Sequence, residues 1–342
     1  MIKAIAAKIK EKLGSFASED YLKDSLIFNN RILPLQPEGF TSLDLDANKD
    51  ANKRTLAFVD GGQAEIISAG NFCLSLIRVA ALFFENNKKI NSLKKEFFLL
   101  TTAKYVQDNK YVQDNKYVQD SFNGDLFYES RLFGDKLVEE TDLLISSNDN
   151  TIRIGKERAP ISRVSSMARR FAELSLAAEL HKTHGADLAD FVVLDGTLQS
   201  TFKNEEKYIN LLPEYVSALA KSSSLFTAFG NSPAVLLGKI GPSGRWSYFV
   251  EGKSYFVRLH GQAKHVFRFE GNAGVLPFLA GNSSDALFLG YPYGLIAADK
   301  LARISEEERK SLKMQFLLDK ENKEIVHYLS TSNAHDILDS LG

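Results

Sequence analysis

The chain of 342 residues carries 42 Lys and Arg against 43 Asp and Glu, for a formal net charge of −1, and 44% of its residues are hydrophobic. This balance is typical of a folded globular protein and excludes one that binds nucleic acid through a uniformly basic surface. No apolar run approaches the roughly 20 residues that cross a bilayer, so a membrane-spanning segment is not expected. A single cysteine, Cys73, cannot form an internal disulfide, and together with the lack of a signal-peptide pattern it predicts a cytoplasmic protein.

The first 50 residues are interpreted as an N-terminal helix with a lead-in segment, and residues 51–342 as one main domain with an insertion around 101–150. Ile2, Ile5, Ile9 and Leu13 lie on one face of a helical wheel. This face indicates a short amphipathic helix that docks on the chain's own core or on a second subunit. The alternative is a helix that binds a partner or a membrane surface.

Residues 56–59 are apolar and run into Asp60-Gly61-Gly62, which predicts a buried strand that ends in a turn. Residues 65–68 suit the return strand of a hairpin beyond that turn. The apolar run 72–84 is either a strand or a helix, because its periodicity does not distinguish the two. Residues 104–120 then repeat a polar six-residue unit, which is interpreted as a surface insertion without chemistry.

Residues 162–182 favour helix throughout and contain two candidate acids, Glu173 and Glu179. Because these acids are six residues apart, they project from different faces and one of them at most can enter a given pocket. A second apolar strand, residues 191–194, runs into Asp195-Gly196-Thr197 directly after this helix. If the two aspartate strands are neighbours, Asp60 and Asp195 form half of a divalent-metal site. The alternative is that each Asp-Gly pair is ordinary turn chemistry.

A helix is expected to reach about Ala220, with Lys221 as a cation at its C-terminus. Residues 239–268 then contain six cationic residues and one acid, Glu251, with aromatic residues between them. Alternating residues predict two antiparallel strands with a basic face at 255–259 and 265–269. Such a face either binds single-stranded nucleic acid or is a solvated sheet surface. The candidate nucleic-acid-binding residues are Lys239, Arg245, Arg258, Lys264 and Arg268.

Gly290-Tyr291-Pro292-Tyr293-Gly294 precedes a predicted helix at 295–303 that carries Asp299. Ser305 followed by three glutamates is typical of the start of another helix. A strand near 325–329 and a final helix at 333–341 complete the predicted elements.

The order and spacing of these motifs resemble the NurA nuclease family of archaea and bacteria over residues 56–339. The matching motifs are Val59-Asp60-Gly61-Gly62, the helix bearing Glu173, Leu194-Asp195-Gly196-Thr197-Leu198, Ala220-Lys221-Ser222-Ser223, Val266-Phe267-Arg268, Gly290-Tyr291-Pro292-Tyr293 and His335-Asp336-Ile337-Leu338-Asp339. The resemblance implies an α/β fold with an RNase H-like mixed sheet flanked by helices, here with a polar repeat insertion and an antiparallel basic β segment.

The resemblance also implies a function. The family comprises homodimeric, manganese-dependent nucleases that act 5′ to 3′ on DNA ends and endonucleolytically on single strands. They work with the hexameric HerA ATPase in end resection for recombinational repair. We therefore expect Mn²⁺ or Mg²⁺ as the cofactor, with two ions, and as partners DNA, a HerA-type ATPase and a second copy of the chain, but no membrane.

Within this resemblance, Asp60 and Asp195 match the metal-binding aspartates, Glu173 is favoured over Glu179 as the helix acid, and Lys221 and Tyr291 match the family's lysine and aromatic residue. Asp299 stands where the family commonly has histidine. The expected metal ligands are Asp60, Glu173, Asp195 and Asp299, an all-oxygen set that suits Mg²⁺ and Mn²⁺.

Two other functions compete. An actin-like sugar kinase or ATPase also has phosphate loops after strands, but its Asp-x-Gly spacing is missing here. A non-catalytic adaptor would keep the dimer and the HerA contact while Asp299 abolishes cleavage.

Overall fold

The computed structural model describes residues 1–17, 24–43, 54–106, 125–180 and 189–332. The strands in these ranges are β1 Ser25–Phe28, β2 Arg31–Pro34, β3 Phe40–Ser42, β4 Thr55–Ala69, β5 Phe72–Glu85, β6 Lys88–Val106, β7 Asp125–Gly134, β8 Ile145–Ser146, β9 Phe191–Asp195, β10 Val216–Ala220, β11 Trp246–Glu251, β12 Ser254–Arg258 and β13 Phe267–Glu270. The helices are α1 Ile2–Ala17, α2 Arg163–Glu179, α3 Glu205–Ile209, α4 Pro233–Ile240, α5 Leu276–Asn282, α6 Tyr293–Ala302, α7 Glu306–Leu318 and α8 Lys323–Ser332.

Eleven strands form one sheet, in the order β3-β11-β12-β13-β10-β9-β4-β5-β6-β7-β8. At its centre β4, β5 and β6 form an antiparallel meander, β9 pairs parallel to β4, and β10 pairs parallel to β9. A meander with two parallel strands added beside its first strand is the RNase H-like arrangement. The predicted mixed sheet with flanking helices is therefore confirmed.

β4 is the central strand and does not turn at Asp60-Gly61-Gly62. It continues to Ala69, and its residues pair without interruption with β5 from Thr55 to Glu65. The predicted turn and the return strand at 65–68 are thus wrong, because pairing with the equally long β5 overrides the local preference of Asp-Gly for a turn. The apolar run from residue 72 is a strand, β5.

The two faces of β4 bury different helices. Ala57 and Val59 lie in a core with Phe171 of α2, whereas Leu56 and Phe58 lie in a second core with residues of α6. This follows from the alternation of side chains along a strand, since consecutive residues face opposite sides of the sheet. Residues 56–59 of β4 are therefore apolar on both faces and are covered by a helix on each side.

A third core lies at the β3 end of the sheet. There, Leu26 of the β1–β2 hairpin and Leu237 of α4 pack on Trp246 of β11 and Phe256 of β12. Residues before 51 also contribute β3, which pairs with β11. The segment preceding the main domain therefore completes the sheet.

Three other expectations can be compared with the described residues. The predicted helix reaching Ala220 is wrong, since the chain forms the short α3 and then β10, and the strand near 325–329 is wrong because α8 occupies those positions. In α1 the side chains of Ile5 and Ile9 are exposed, so they do not dock on the described part of the chain's own core.

The repeat beyond residue 106 and the final helix at 333–341 lie outside the described residues. Among the helices that are described, none has the length and hydropathy of a membrane span.

Close packing of α6 on β4 yields a stability prediction at Gly294. A Cβ at this position would lie 2.1 Å from Cδ2 of the buried Phe58 ring, so Gly294→Ala must displace a packed aromatic side chain. We expect a loss of about 1–3 kcal/mol in the free energy of unfolding, measured with urea. Gly70→Ala is the control, because its Cβ would meet no atom within 4 Å; an equal loss in both variants would contradict the packing argument.

Candidate active site

Asp60 and Asp195 lie side by side on neighbouring parallel strands. In the register of β4 and β9, Val59 is opposite Leu194, so the two aspartates are the next residues along. β9 ends at Asp195, and Gly196 takes a φ of 111°, a left-handed conformation that favours glycine and turns the chain away. Because β4 continues past this point, a notch opens beside Asp60. The condition set by the sequence, that the two aspartate strands be neighbours, is met.

Glu173 reaches the same notch from α2. It is buried, and its Oε1 lies 2.5 Å from where a Cβ of Gly61 would be, so Gly61 is needed for this close approach. Glu179, by contrast, pairs with Lys95 at 2.6 Å on the surface. Of the two acids on α2, the structure places Glu173 beside the aspartates.

Lys221 follows β10 and therefore lies at the end of a strand, where a helix end was expected. Its Nζ donates a hydrogen bond of 2.5 Å to Oδ2 of Asp195. Burial acts to lower the pKa of Lys221, but the hydrogen bond and the charge of Asp195 outweigh it, so the pKa is raised and the amine stays charged.

Tyr291 holds the other oxygen of the same carboxylate. Its hydroxyl lies 3.0 Å from Oδ1 of Asp195 and 3.1 Å from the Leu219 carbonyl oxygen. Burial, followed by the charge of Asp195, raises the Tyr291 pKa well above its usual range, so the hydroxyl keeps its proton and serves as a donor. Lys221 and Tyr291 together fix the orientation of Asp195.

Asp299 faces the notch from α6 and is the most exposed of the four acids. Arg303, one helical turn later, pairs with it at 2.5 Å. The charge of Asp299 contributes to the raised pKa of Asp60, and Gly62, two residues after Asp60, packs against the end of α6 at Ala302. Asp299 therefore lies on the helix that packs beside the Asp60 segment.

Of the four carboxylates in the notch, Asp60 is the one whose negative charge is not balanced by an ion pair with a described residue. It is 7% exposed, accepts a hydrogen bond of 2.7 Å from the Gly61 N–H, and forms no ion pair with any described residue. Burial, followed by the charges of Glu173 and Asp195, raises its pKa to about 7. Burial likewise raises the pKa of Glu173. A buried carboxylate without a cation is a position where a bound cation relieves a large electrostatic cost.

The donor chemistry therefore fits a divalent metal, although the side chains are not arranged as a closed coordination sphere. Across the described residues, no three His, Cys, Asp or Glu side chains are close enough to hold one ion as they stand. Glu173, Asp195 and Asp299 are each engaged by a cationic side chain. An ion would have to displace those cations to be bound.

Sequence reasoning missed two arginines of α2 that hold the site together. Arg169 donates to Glu173 at 2.5 Å and to the Gly61 carbonyl oxygen at 3.2 Å. Arg170 donates to the buried Glu205 at 2.8 Å and to the Thr197 carbonyl oxygen, and so ties α2 to the loop after Asp195. The four-residue spacing from Arg169 to Glu173, which places both on one helical face, was the available signal.

The prediction of a basic, DNA-binding face at residues 239–268 is correct only in part. β12 and β13 do pair antiparallel as predicted, but Arg268 is buried and paired with Glu270 at 2.5 Å, so its expected exposure to DNA is wrong. Arg258 is half-buried and donates to the carbonyl oxygens of Gly261 and Ala263. The β1–β2 hairpin covers this face, since Phe28 stacks on Arg268. Glu270 lies two residues beyond the segment that was counted as basic.

Three of the predicted DNA-binding residues remain accessible. Lys239 and Lys264 are exposed and Arg245 is half-buried. Their contact with DNA stays a prediction.

Comparison with solved structures finds likenesses of fold among nucleases. The NurA nuclease from Sulfolobus solfataricus superposes with a TM-score of 0.49 and 12% identity, covering 92% of this chain and 93% of that chain. The catalytic domain of human endonuclease V gives 0.39 and 11%, covering 91% and 98%. Endonuclease V of Ciona intestinalis, in complex with a 24mer DNA containing an inosine, gives 0.36 and 11%, covering 78% and 88%.

No family model matches the sequence, and no curated protein matches it. The proteins whose solved structures this chain is similar to include NurA, the family that its motifs resemble, and endonuclease V.

The raised pKa of Asp60 predicts a pH-dependent stability. In metal-free protein the folded state holds the Asp60 proton up to about pH 7, whereas the reference value is 3.8, so the stability of the folded state falls as pH rises between these values. Asp60→Asn removes this cost. We expect it to raise the free energy of unfolding by about 2–4 kcal/mol at pH 8, with no gain at pH 4.

Urea unfolding in EDTA between pH 4 and 8 measures this gain. Glu179→Gln, an exposed acid of α2, is the control and should show no such trend. A gain in Asp60→Asn that is the same at pH 4 and pH 8 would mean that Asp60 ionises normally.

Proposed function

We propose that this protein is a metal-dependent DNA nuclease, and the observation that carries the proposal is the buried, uncompensated Asp60 beside Asp195. Two carboxylates at the ends of adjacent strands, with a third from a packed helix, are a typical oxygen-donor set for divalent ions. The notch lies where β9 stops, and there Asp195 and Asp299 are partly exposed, whereas Asp60 and Glu173 are buried. A nucleic-acid backbone can reach such an edge.

Asp60, Glu173, Asp195 and Asp299 would hold the metal, which we propose to be Mn²⁺ or Mg²⁺, with two ions. When bound, the metal lowers the pKa of an attacking water and neutralises charge on the leaving oxygen. The protein's own contribution is the placement of these oxygens by β4, β9, α2 and α6.

Lys221 and Tyr291 have separate roles in this proposal. The exposed Lys221 ammonium can contact a phosphate oxygen and stabilise the negative charge that develops there. Tyr291 is buried behind Asp195 and cannot reach a substrate, so it acts by holding the carboxylate in place. Tyr291 is therefore a positioning residue, whereas Lys221 touches the scissile group.

The finer assignments rest on the resemblance of the motifs to the NurA family. We propose action 5′ to 3′ on DNA ends and endonucleolytic action on single strands, in a homodimer that works with a HerA-type ATPase in end resection and recombinational repair. The non-catalytic adaptor remains the second candidate, because Asp299 replaces the family's histidine and is paired with Arg303.

Cleavage assays on labelled single- and double-stranded DNA, with Mn²⁺, Mg²⁺ or EDTA, test the activity. We expect Asp60→Asn and Glu173→Gln each to reduce the Mn²⁺-supported rate at least about 100-fold, since each removes a charged ligand worth several kcal/mol. Glu179→Gln is the matched control on the same helix and should stay within about twofold of wild type. DNA binding without cleavage under any condition would instead support the adaptor.

Asp299 yields a separate prediction on metal preference. Asp299→His exchanges an oxygen for a nitrogen donor, and imidazole favours later transition metals over Mg²⁺. We expect cleavage to be kept or raised in Mn²⁺ and reduced in Mg²⁺, whereas Asp299→Ala should impair both. The ratio of rates in the two metals measures the effect, and an Asp299→Ala protein with wild-type rates would remove Asp299 from the ligand set.

A further inference from the structure

Three carboxylates of the notch are each paired with a cation that is more exposed than the acid itself. The side chains of Lys221 and Asp195 are 55% and 16% exposed. Those of Arg303 and Asp299 are 68% and 38% exposed. Those of Arg169 and Glu173 are 32% and 4% exposed. In every pair, the positive charge lies outside and the negative charge inside.

These three cations approach the segment Asp60-Gly61-Gly62 and its neighbour Asp195 from different sides. The guanidinium of Arg169 contacts the Gly61 carbonyl oxygen on the α2 side of β4. Arg303 comes from the other side, where its Cα would lie 3.2 Å from a Cβ of Gly62. Lys221 stands across β9, at the end of β10. The outer rim of the notch is therefore cationic, although its floor is acidic.

The charges of this arrangement are nearly balanced. With every acid ionised, the four carboxylates outnumber these three cations by one charge, and Arg170, 3.7 Å from Glu173, is balanced by Glu205. The metal-free notch therefore has little attraction for phosphate, and its cations are already engaged. A single divalent ion reverses the sign of the sum. An ion that binds the carboxylate oxygens must also displace the cations from them, because the same oxygens serve both.

We infer that Lys221, Arg169 and Arg303 are exchangeable counter-ions: they neutralise the acids of the metal-free notch and bind DNA phosphates once a divalent ion has replaced them. This inference rests on the proposed nuclease function and assigns a regulation to its site. The consequence is positive coupling, in which the metal tightens DNA binding and DNA tightens metal binding by the same factor. An apo protein of this kind holds DNA weakly and engages it when loaded.

Other arginines near the site do not take part. Arg170 also lies 3.7 Å from Oε2 of Glu173, but it is nearly buried, and its closer partners are the buried Glu205 and the Thr197 carbonyl oxygen, which an ion does not displace. Arg268 lies in its own buried pair with Glu270. The exchange is limited to the more exposed cations whose closest acidic partner is a candidate ligand.

The first test measures DNA affinity without requiring turnover. A short fluorescein-labelled single-stranded oligonucleotide is titrated in EDTA and in Ca²⁺, an ion that takes oxygen ligands, and gels confirm that the DNA stays intact. Wild type should bind at least about fivefold more tightly in Ca²⁺. Arg303→Met and Lys221→Met should lose most of this gain. Arg131→Met is the control, an exposed arginine paired with Glu140 on β7, and should keep it.

The second test measures metal affinity without DNA, by calorimetric titration with Mn²⁺. If the cations compete with the metal, Arg303→Met and Lys221→Met should bind Mn²⁺ more tightly than wild type. If the cations only support the fold, both variants should bind it more weakly, which would overturn the inference.

The two proposals can fail separately. If no Mn²⁺ binds to wild type, the metal-dependent nuclease itself is refuted. If Mn²⁺ binds and DNA is cleaved, but DNA affinity is the same in EDTA and Ca²⁺, the nuclease stands and the exchange of counter-ions is wrong.

Discussion

The parallel pairing of β4 with β9 is the contact on which the rest of the structure depends. It places Asp60 beside Asp195, and because β9 stops there while β4 continues, it leaves the two carboxylates at an open notch. This placement buries the Asp60 carboxyl group, and burial raises its pKa to about 7. Every other feature of the site, from the glycines to the surrounding cations, either permits this arrangement or compensates its charge.

Gly61 and Gly62 illustrate why a local pattern was misread. Asp-Gly-Gly after an apolar run is typical of a turn, yet here the glycines allow close approach on both faces of an extended strand. A Cβ on Gly61 would meet Glu173, and one on Gly62 would meet the Ala302 carbonyl oxygen at 2.2 Å. The identity of the residues was informative, but the reason for it lies in the packing of α2 and α6, which no local window contains.

Sequence reasoning was most successful where both the residue types of a motif and its order along the chain were informative. Apolar runs that end in Asp-Gly predicted the central strands β4 and β9. The resemblance of the motifs selected Glu173 and Lys221, which the structure places beside the aspartates, although the chain around Lys221 was assigned to the wrong element. What could not be predicted was pairing between distant residues. Burial of Arg268, for example, depends on Phe28 of the covering hairpin, which is far from it in the sequence.

The basic segment, residues 239–268, has a structural role. This role bears on which residues could attract DNA. Glu270, paired with Arg268, uses its other oxygen to accept the Leu198 N–H at 2.6 Å, and so holds the loop that follows Asp195. Arg258 donates its hydrogen bonds to the carbonyl oxygens of the loop that follows it. Since both arginines are committed to the fold, a chain with a net charge of −1 must obtain much of its local positive potential elsewhere. We propose that the candidate site supplies it, because its cations are the more exposed members of their pairs and a bound metal would neutralise its acids.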